Sequence, residues 1–400
     1  MQSAWNEVDT SDGPLAGVRI VDLTINVLGP VATQVLADAG ADVIKVESPA
    51  GDQNRHIGPS RTPLMGALYM TMNRNKRSIV LNLKKPSAKE ALFRLVKEAD
   101  VFVHSMRPGA AERLGVDYAA IAKHNPGIVY AYAPGYRPDG PGRDRPAYDD
   151  VIQGESGISS MCERAFGEPR YLPTVLADKL CGQVMSSAIS MALFCRERTG
   201  IGQEVVVPML ETVLAFNMLD HQWGAIFDPP DGGMGYTRLF TPHRRPYPTA
   251  DGHMCIMASN DDQWQRLLAA VGRPDLSDDP RFARLVNRAR NIDALYAVLI
   301  EQLASRTNEE WSRRLSEADI PHAPVKKLED LLTDPYLEAT GFFQHVDHPS
   351  EGSLVRAANP MMFSKTPTSQ RFPQPRLGEH SDEVLAGLGF DGKAIREMGE

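Results

Sequence analysis

Of the 400 residues only four are cysteine (Cys162, Cys181, Cys195 and Cys255), with no C-x-x-C pair and no spacing suggestive of a disulfide framework. Thiols this sparse fit a reducing, cytoplasmic setting. No apolar run approaches the roughly 20 residues a membrane helix needs. Residues 1–13 are polar and acidic, lacking the basic-then-apolar order of a secretory signal. Positive charge is also short: 43 Lys and Arg face 51 Asp and Glu, a net charge of −8. That balance argues against a nucleic-acid protein and requires any anionic ligand to find a local basic patch. The 32 glycines and 30 prolines show no triplet period, which excludes collagen-like and low-complexity chains.

Familiar catalytic motifs are missing as well. The turn from Thr24 to Pro30 holds one glycine where a G-x-G-x-x-G dinucleotide fingerprint needs three. There is no P-loop and no H-E-x-x-H, and Gly154-Glu155-Ser156-Gly157 falls one residue short of a nucleophile elbow. His345 and His348 have no further ligand nearby and read as two surface histidines rather than a metal site.

What is present is a folded chain, 42% hydrophobic and 24% charged, too long for one ordinary core. Strand and helix signals alternate over the first 135 residues. Strands are expected at Val18–Leu23, Asp42–Glu47, Arg77–Asn82, Val101–Val103 and Ile128–Ala131, with helices opening at Pro30 and Pro86. This alternation predicts an α/β fold with a parallel sheet covered on both faces. Pro134–Pro146, with four prolines and three glycines, is a loop. Helices follow near Asp150–Cys162 and Lys179–Glu197, then a strand at Glu204–Val207 and a helix from Pro208 to about Trp223. Residues 228–248 read as a linker. A smaller unit ends near residue 330; it includes a strand at Met254–Ala258, a helix capped by Asn260 and a short strand signal at Val325. The tail from about Pro349 is expected to be mostly irregular, with one helix at Ser381–Leu388.

Two features point to chemistry. From Thr71 to Glu98, eight basic residues face two acidic ones, a local +6 in an acidic chain. Lys89, Arg94 and Lys97 fit a solvated helix face, whereas Arg74, Lys76, Arg77, Lys84 and Lys85 flank a strand, where parallel sheets bind anions. Asp178 follows an apolar run; by itself it reads as an N-cap, and it is also well placed to be partly buried and functional.

The ordered set Leu15–Thr24, Gly29-Pro30, Leu36–Glu47, Gly51-Asp52, Asn75–Ile79, Arg107–Gly109, Glu112–Gly115, Thr199–Gln203 and Thr249–Gly252 resembles the class III CoA-transferases, a fold shared with 2-methylacyl-CoA racemases. The resemblance implies a large Rossmann-like CoA-binding domain over 1–224, completed by 331–400. A small α/β domain with flanking linkers occupies 225–330, and two ring-shaped subunits interlock into a homodimer. It implies acyl-CoA and a small carboxylic acid as substrates, with no resident cofactor and no metal. Asp178 matches the family's nucleophile, and an aspartate that is anionic at neutral pH needs no general base. Val27 and Leu28 match positions at the nucleotide end of CoA, and Leu81 and Lys84 positions near adenine and phosphates. Ser105, Met106, Arg107 and Arg113 match the CoA channel, with Arg113 as a bidentate phosphate ligand. Ser48 stands where some members carry an arginine.

In the racemase branch a histidine precedes the aspartate by about thirty residues and supplies the second base. Here Tyr148 takes that place, and a phenol is a poor base at neutral pH but a good lid or hydrogen-bond donor. Transfer of CoA is therefore expected; racemisation, and acyl-CoA binding without turnover, are the alternatives. Gly232-Gly233-Met234-Gly235 lacks the longer glycine run of formyl- and oxalate-specific members. Arg238, His243, Arg244 and Arg245 could engage a second carboxylate.

Overall fold

The structure, a computed structural model, describes residues 4–6 and 13–400. Six strands form one sheet: β1 (Arg19–Leu23), β2 (Asp42–Glu47), β3 (Lys76–Val80), β4 (Val101–His104), β5 (Val129–Tyr132) and β6 (Gln203–Val206). Every pairing is parallel, in the order β3-β2-β1-β4-β5-β6. β2 and β4 are buried along their whole length, as their β-branched runs require of strands covered on both faces. The strand order reverses between β1 and β4, and such a reversal opens a crevice beyond the carboxyl ends of the strands.

The first helix, α1 (Leu28–Asp38), begins two residues before Pro30. Pro30 still sits in the first turn, where a missing N–H leaves no intrahelical bond unmade. The helix α2 (Pro86–Glu98) does open on its proline and buries Ala88, Leu92, Leu95 and Val96. The stretch expected at Asp150–Cys162 is two helices, α3 (Asp149–Glu155) and a second at Ile158–Phe166, interrupted at Gly157, where φ is +87°. The long helix α4 spans Leu176–Thr199.

Compact packing divides the chain into two units. The first comprises residues 1–157, 171–216 and 341–400, and the second Ile158–Arg170 and Asn217–Thr340. The helix at Ile158–Phe166 groups with the second unit because Arg164 donates to Met234 O at 3.0 Å and lies 3.9 Å from the centre of the Phe240 ring. That unit holds a three-stranded antiparallel sheet of Tyr247–Pro248, His253–Ile256 and His322–Pro324. Its core gathers Trp264, Leu267, Leu268, Leu295, Leu299 and Trp311. Asn260 caps the helix Asp261–Ala270 by accepting the Gln263 N–H at 2.8 Å.

The C-terminal tail is more regular than its polarity suggests. Phe343–His348 and Gly352–Ala357 form an antiparallel hairpin, and a second late helix, Gly392–Gly399, buries Ile395 and Met398 in the core of the first unit. His348 is buried, not superficial, with Nε2 2.8 Å from Gln374 O. The basic segment is also corrected. Arg74 pairs with Asp38 at 2.6 Å, Arg77 with Asp42 at 2.8 Å and Lys76 with Asp22 at 3.4 Å, all within the protein. These three cations are neutralised by carboxylates of the protein itself. Lys85 donates to the carbonyl of Glu397 at 2.6 Å.

Candidate active site

Beyond the carboxyl ends of the sheet lies a cleft of about 700 Å3. All six strands feed its wall: Leu23 ends β1 and Ile25 follows it, Glu47 ends β2 and Ser48 follows it, and Leu81 and Lys84 follow β3, Ser105–Arg107 β4, Ala133–Gly135 β5 and Met209 β6. Tyr148 and Asp178 complete it.

The turn after β1 is held from beneath by buried charge. Lys45 Nζ donates to Thr24 O at 2.8 Å and to Asp52 at 3.0 Å. Asp52 accepts the N–H of Asn26 at 3.2 Å, and Asn54 donates to Asn26 O at 2.5 Å. These bonds keep Asn26 at φ +64°, in the left-handed region that asparagine tolerates. Gly29 is required here, because a Cβ on it would lie 2.2 Å from Thr24 Cβ. Burial opposes the charge on Lys45, but Asp22, Asp52 and Glu47 outweigh it and raise the pKa. Burial wins at Lys76, which is lowered to about 8 despite Asp22.

A neutral histidine shapes the turn after β4. Burial pulls His104 down to about 3. Its Nδ1 accepts the Met106 N–H at 3.0 Å, so Nε2 carries the proton and donates to the Tyr130 hydroxyl at 2.7 Å; that hydroxyl donates to Val116 O at 2.9 Å. Ser105 Oγ then accepts the Ile25 N–H at 3.2 Å, tying together the turns on either side of the strand reversal.

Asp178 is the third residue of α4, whose capping position is Val175, so the aspartate is not the N-cap. Its backbone N–H is satisfied by Asp149 Oδ1 at 3.0 Å. Asp149 is buried, and its second oxygen accepts from Gln153 at 2.5 Å, while Gln153 Oε1 accepts the Leu172 N–H at 2.9 Å. One turn beyond Asp178, a Cβ on Gly182 would lie 2.7 Å from Leu28 O. A glycine there lets α4 run against the start of α1, which brings Asp178 to the first turn. Burial, with a smaller contribution from Asp149, raises the Asp178 carboxyl to about 7. The carboxylate is thus not unperturbed: its pKa is raised to about 7.

The cleft brings together Asp178, Tyr148, Leu28, Leu81, Lys84, Ser105, Met106, Arg107 and also Ser48. Its wall does not include Val27, which is buried, nor Arg113, which is exposed on the helix Pro108–Leu114 although Ala110 and Leu114 of that helix do line the cleft. Val27 ends the irregular turn with its side chain in the core, whereas Ile25 and Asn26 face the cleft. Arg107 reaches the wall while donating to Asp144 O at 2.9 Å. Gly51-Asp52 and the acid directly after Tyr148 stood out in the sequence only as parts of a resemblance; the hydrogen-bonding roles of Asp52, Asp149 and Asn26 were not read from it. In the second unit, Arg238, Arg244 and Arg245 line a separate cavity. His243 is not on its wall and lies 2.6 Å from Asp293. Among the described residues, no group of three or more His, Cys, Asp or Glu could hold a metal ion, and no helix is long and apolar enough to cross a membrane.

Comparison with known proteins places this geometry in a family. Residues 15–381 match the family model for CoA-transferase family III. The chain is 34% identical to the succinate–glutarate CoA-transferase of Agrobacterium fabrum, over 94% of this chain and 96% of that protein. It is 32% identical to a formyl-CoA:oxalate CoA-transferase of Rhodopseudomonas palustris, over 96% of each chain. The crystal structure of Rv3272 from Mycobacterium tuberculosis superposes with a TM-score of 0.80 at 32% identity, covering 92% of this chain and 98% of that one. With the family model spanning nearly the whole chain and relatives of this identity named as transferases, the chain belongs to CoA-transferase family III and is an enzyme of that class.

Proposed function

We propose that the enzyme moves CoA from an acyl-CoA thioester to a free carboxylic acid, with Asp178 as the covalent nucleophile. The observation that carries this reading is a half-buried carboxylate at a helix N-terminus, on the wall of a cleft large enough for a CoA arm. An Asp178 oxygen attacks the thioester carbonyl, the C–S bond breaks, and a mixed anhydride and the CoA thiolate result. The thiolate then attacks the aspartyl carbonyl and expels the donor's carboxylate, leaving an aspartyl-CoA thioester. The acceptor carboxylate attacks that thioester and releases the thiolate, which takes the acceptor's acyl group from the new anhydride and restores Asp178. No proton is gained or lost. The first N–H groups of α4 and its dipole favour the oxyanions of each step.

Leu28, Leu81 and Met106 supply apolar wall for the adenine and pantetheine, and Ser105 a polar contact. Lys84 and Arg107 are the cations for phosphate, while Val27 supports the turn from behind and Arg113 acts at most from the periphery. Tyr148 covers the acyl end. Small dicarboxylates, the acids in the names of the two relatives, are the first acceptors to screen. The same reading includes the interlocked homodimer and a cytoplasmic setting. The test is trapping: incubation with acyl-CoA and then hydroxylamine should convert Asp178, and no other carboxylate, to a hydroxamate detectable by peptide mass spectrometry. Asp178→Ala should lose at least about a hundredfold of transfer. Modification elsewhere, or a variant retaining a tenth of the rate, sinks the assignment.

A further inference from the structure

The second unit contains a cavity of about 440 Å3 that the proposed chemistry does not use. Arg238, Arg244, Arg245 and His322 line it together with Tyr247 and Tyr296, and no acidic residue does. In a chain of net charge −8 an acid-free wall that includes three arginines, Arg238 half-buried and Arg244 and Arg245 exposed, is a departure from the average surface. Such a wall is self-repelling unless an anion occupies it.

The partners of these arginines are neutral. Arg238 Nε donates to the Tyr296 hydroxyl at 2.8 Å, and its Nη2 lies 3.0 Å from Met257 Sδ. Among the described residues, none of the three arginines has a carboxylate within ion-pair distance, although most arginine ion pairs in this protein are short and explicit. The nearby Asp293 is occupied by Thr241 and His243 and stays off the cavity wall. Tyr247 and Tyr296 are buried and form the fixed back of the cavity, their rings 6.3 Å apart and edge-on. Arg238, half-buried against them, is thereby oriented rather than free.

We propose that this cavity is a binding site for a small oxyanion carrying two negative charges. Arginine forks match carboxylate and phosphate oxygens in pairs. Three forks exceed what one monocarboxylate can engage, so a second anionic group is needed to use them. Dicarboxylates and inorganic phosphate share this chemistry, and the arms of the test separate them. The site lies wholly within the second unit and does not depend on the identity of the nucleophile in the first.

Cys255 supplies the readout. It is exposed and lines the cavity, while Cys195, exposed on α4 in the other unit, is an internal control; Cys162 and Cys181 are buried. The full-length protein is labelled with N-ethylmaleimide, an uncharged reagent, and the modification rate at each cysteine is read by peptide mass spectrometry. Millimolar succinate, glutarate, phosphate or acetate is added at constant ionic strength. Succinate or glutarate should slow labelling of Cys255 at least threefold while leaving Cys195 unchanged, and Arg238→Gln or Arg244→Gln should abolish that protection. Protection by phosphate alone assigns the dianion as a phosphate and still supports the site. Equal protection by acetate, equal slowing at Cys195, protection that survives both substitutions, or no protection by any dianion overturns it. So does a Cys255 that fails to react in the ligand-free protein, since the cavity would then be closed. No turnover is measured, so failure here is distinct from failure of the Asp178 assignment.

Discussion

Asp149 Oδ1 accepts the backbone N–H of Asp178 at 3.0 Å, so the acid that follows the cleft's tyrosine also caps the helix bearing the proposed nucleophile. The contact has two opposite effects. It fixes the position of Asp178, and it places a second negative charge beside a carboxylate already penalised by burial. A nucleophile whose charge is disfavoured by burial is more reactive once ionised.

The pH dependence of acyl-CoA capture follows. With Asp178 as the proposed nucleophile, capture needs its carboxylate, so kcat/KM for acyl-CoA should climb with pH and level off, with a midpoint near 7. Asp149→Asn keeps an oxygen for the Asp178 N–H and removes the like charge. Its midpoint should move down toward the ordinary carboxylate value of 3.8, with burial still holding it above that value. A pH profile unchanged by Asp149→Asn would reduce Asp149 to a helix cap.

Stability should show the same shift with the sign reversed from that of a salt-bridged acid. The folded protein holds the Asp178 proton more tightly than the unfolded chain, so folding is disfavoured progressively as pH rises from about 4 to about 7. Asp178→Asn has no charge to bury. Its melting temperature should match the wild type near pH 4, exceed it increasingly up to pH 7, and keep a constant advantage above that. Calorimetry across pH 4–8 checks this, and a pH-independent difference would contradict the raised carboxyl.

Two basic residues singled out by the sequence should now behave differently. Lys84 lines the cleft and Arg113 does not. Lys84→Ala should raise KM for acyl-CoA by roughly tenfold, the loss of one charged hydrogen bond of about 1.5 kcal/mol. Arg113→Ala should change it by less than about threefold, in line with an exposed charge. The KM for the free acid should be unaffected in both. Equal effects of the two substitutions would place Arg113 in the CoA site after all.

The sheet was legible because β-branched residues gather in short runs bounded by turns: Asp42–Glu47, with Val43, Ile44 and Val46, and Val101–Val103 both fall in strands. The cleft was legible through the chain's resemblance to a family and through Lys84 at a strand end. Legibility failed where long-range contacts decide. Nothing local in Arg74, Lys76 or Arg77 says that Asp38, Asp22 and Asp42, more than 30 residues away, neutralise them. The hairpin at Phe343–Ala357 was missed because nearly all of its strand residues are exposed or half-exposed, so no buried face imposes a strong alternation. Val27 is off the cleft wall, which the sequence did not indicate because an irregular turn has no period from which to infer facing.

The buried pair beneath the first turn offers a direct test of that turn's role. Lys45 and Asp52 are fully buried and 3.0 Å apart. Lys45→Met strands Asp52 without its counter-charge and should cost about 3–5 kcal/mol. The double variant Lys45→Met, Asp52→Leu removes both charges and should recover part of that loss. Asn26 would still lack its carboxylate acceptor, so KM for acyl-CoA should stay raised in the double variant even where denaturant unfolding shows restored stability. Recovery of both together would mean that the pair serves the core and not the cleft.

Tyr148 separates CoA transfer from racemisation. It is 64% exposed on the cleft wall, directly before Asp149, at a position where proton exchange would need an imidazole. A phenol does not remove the proton on the carbon beside a thioester at neutral pH, so the second base of a two-base exchange is missing. In deuterated water a 2-methylacyl-CoA should therefore take up no label at C2 while its CoA moves to an added carboxylate. Label uptake at a rate comparable to transfer, or inversion at C2 without an acceptor acid, would reverse the assignment. The ring's covering role is tested separately. Tyr148→Phe keeps the ring and should retain much of the transfer rate, whereas Tyr148→Ala opens the acyl end to water. Hydrolysis of the anhydride or the aspartyl thioester should then rise relative to transfer, measured as free CoA released per acyl-CoA formed. If Tyr148→Phe loses as much as Tyr148→Ala, the hydroxyl rather than the ring is what the reaction uses.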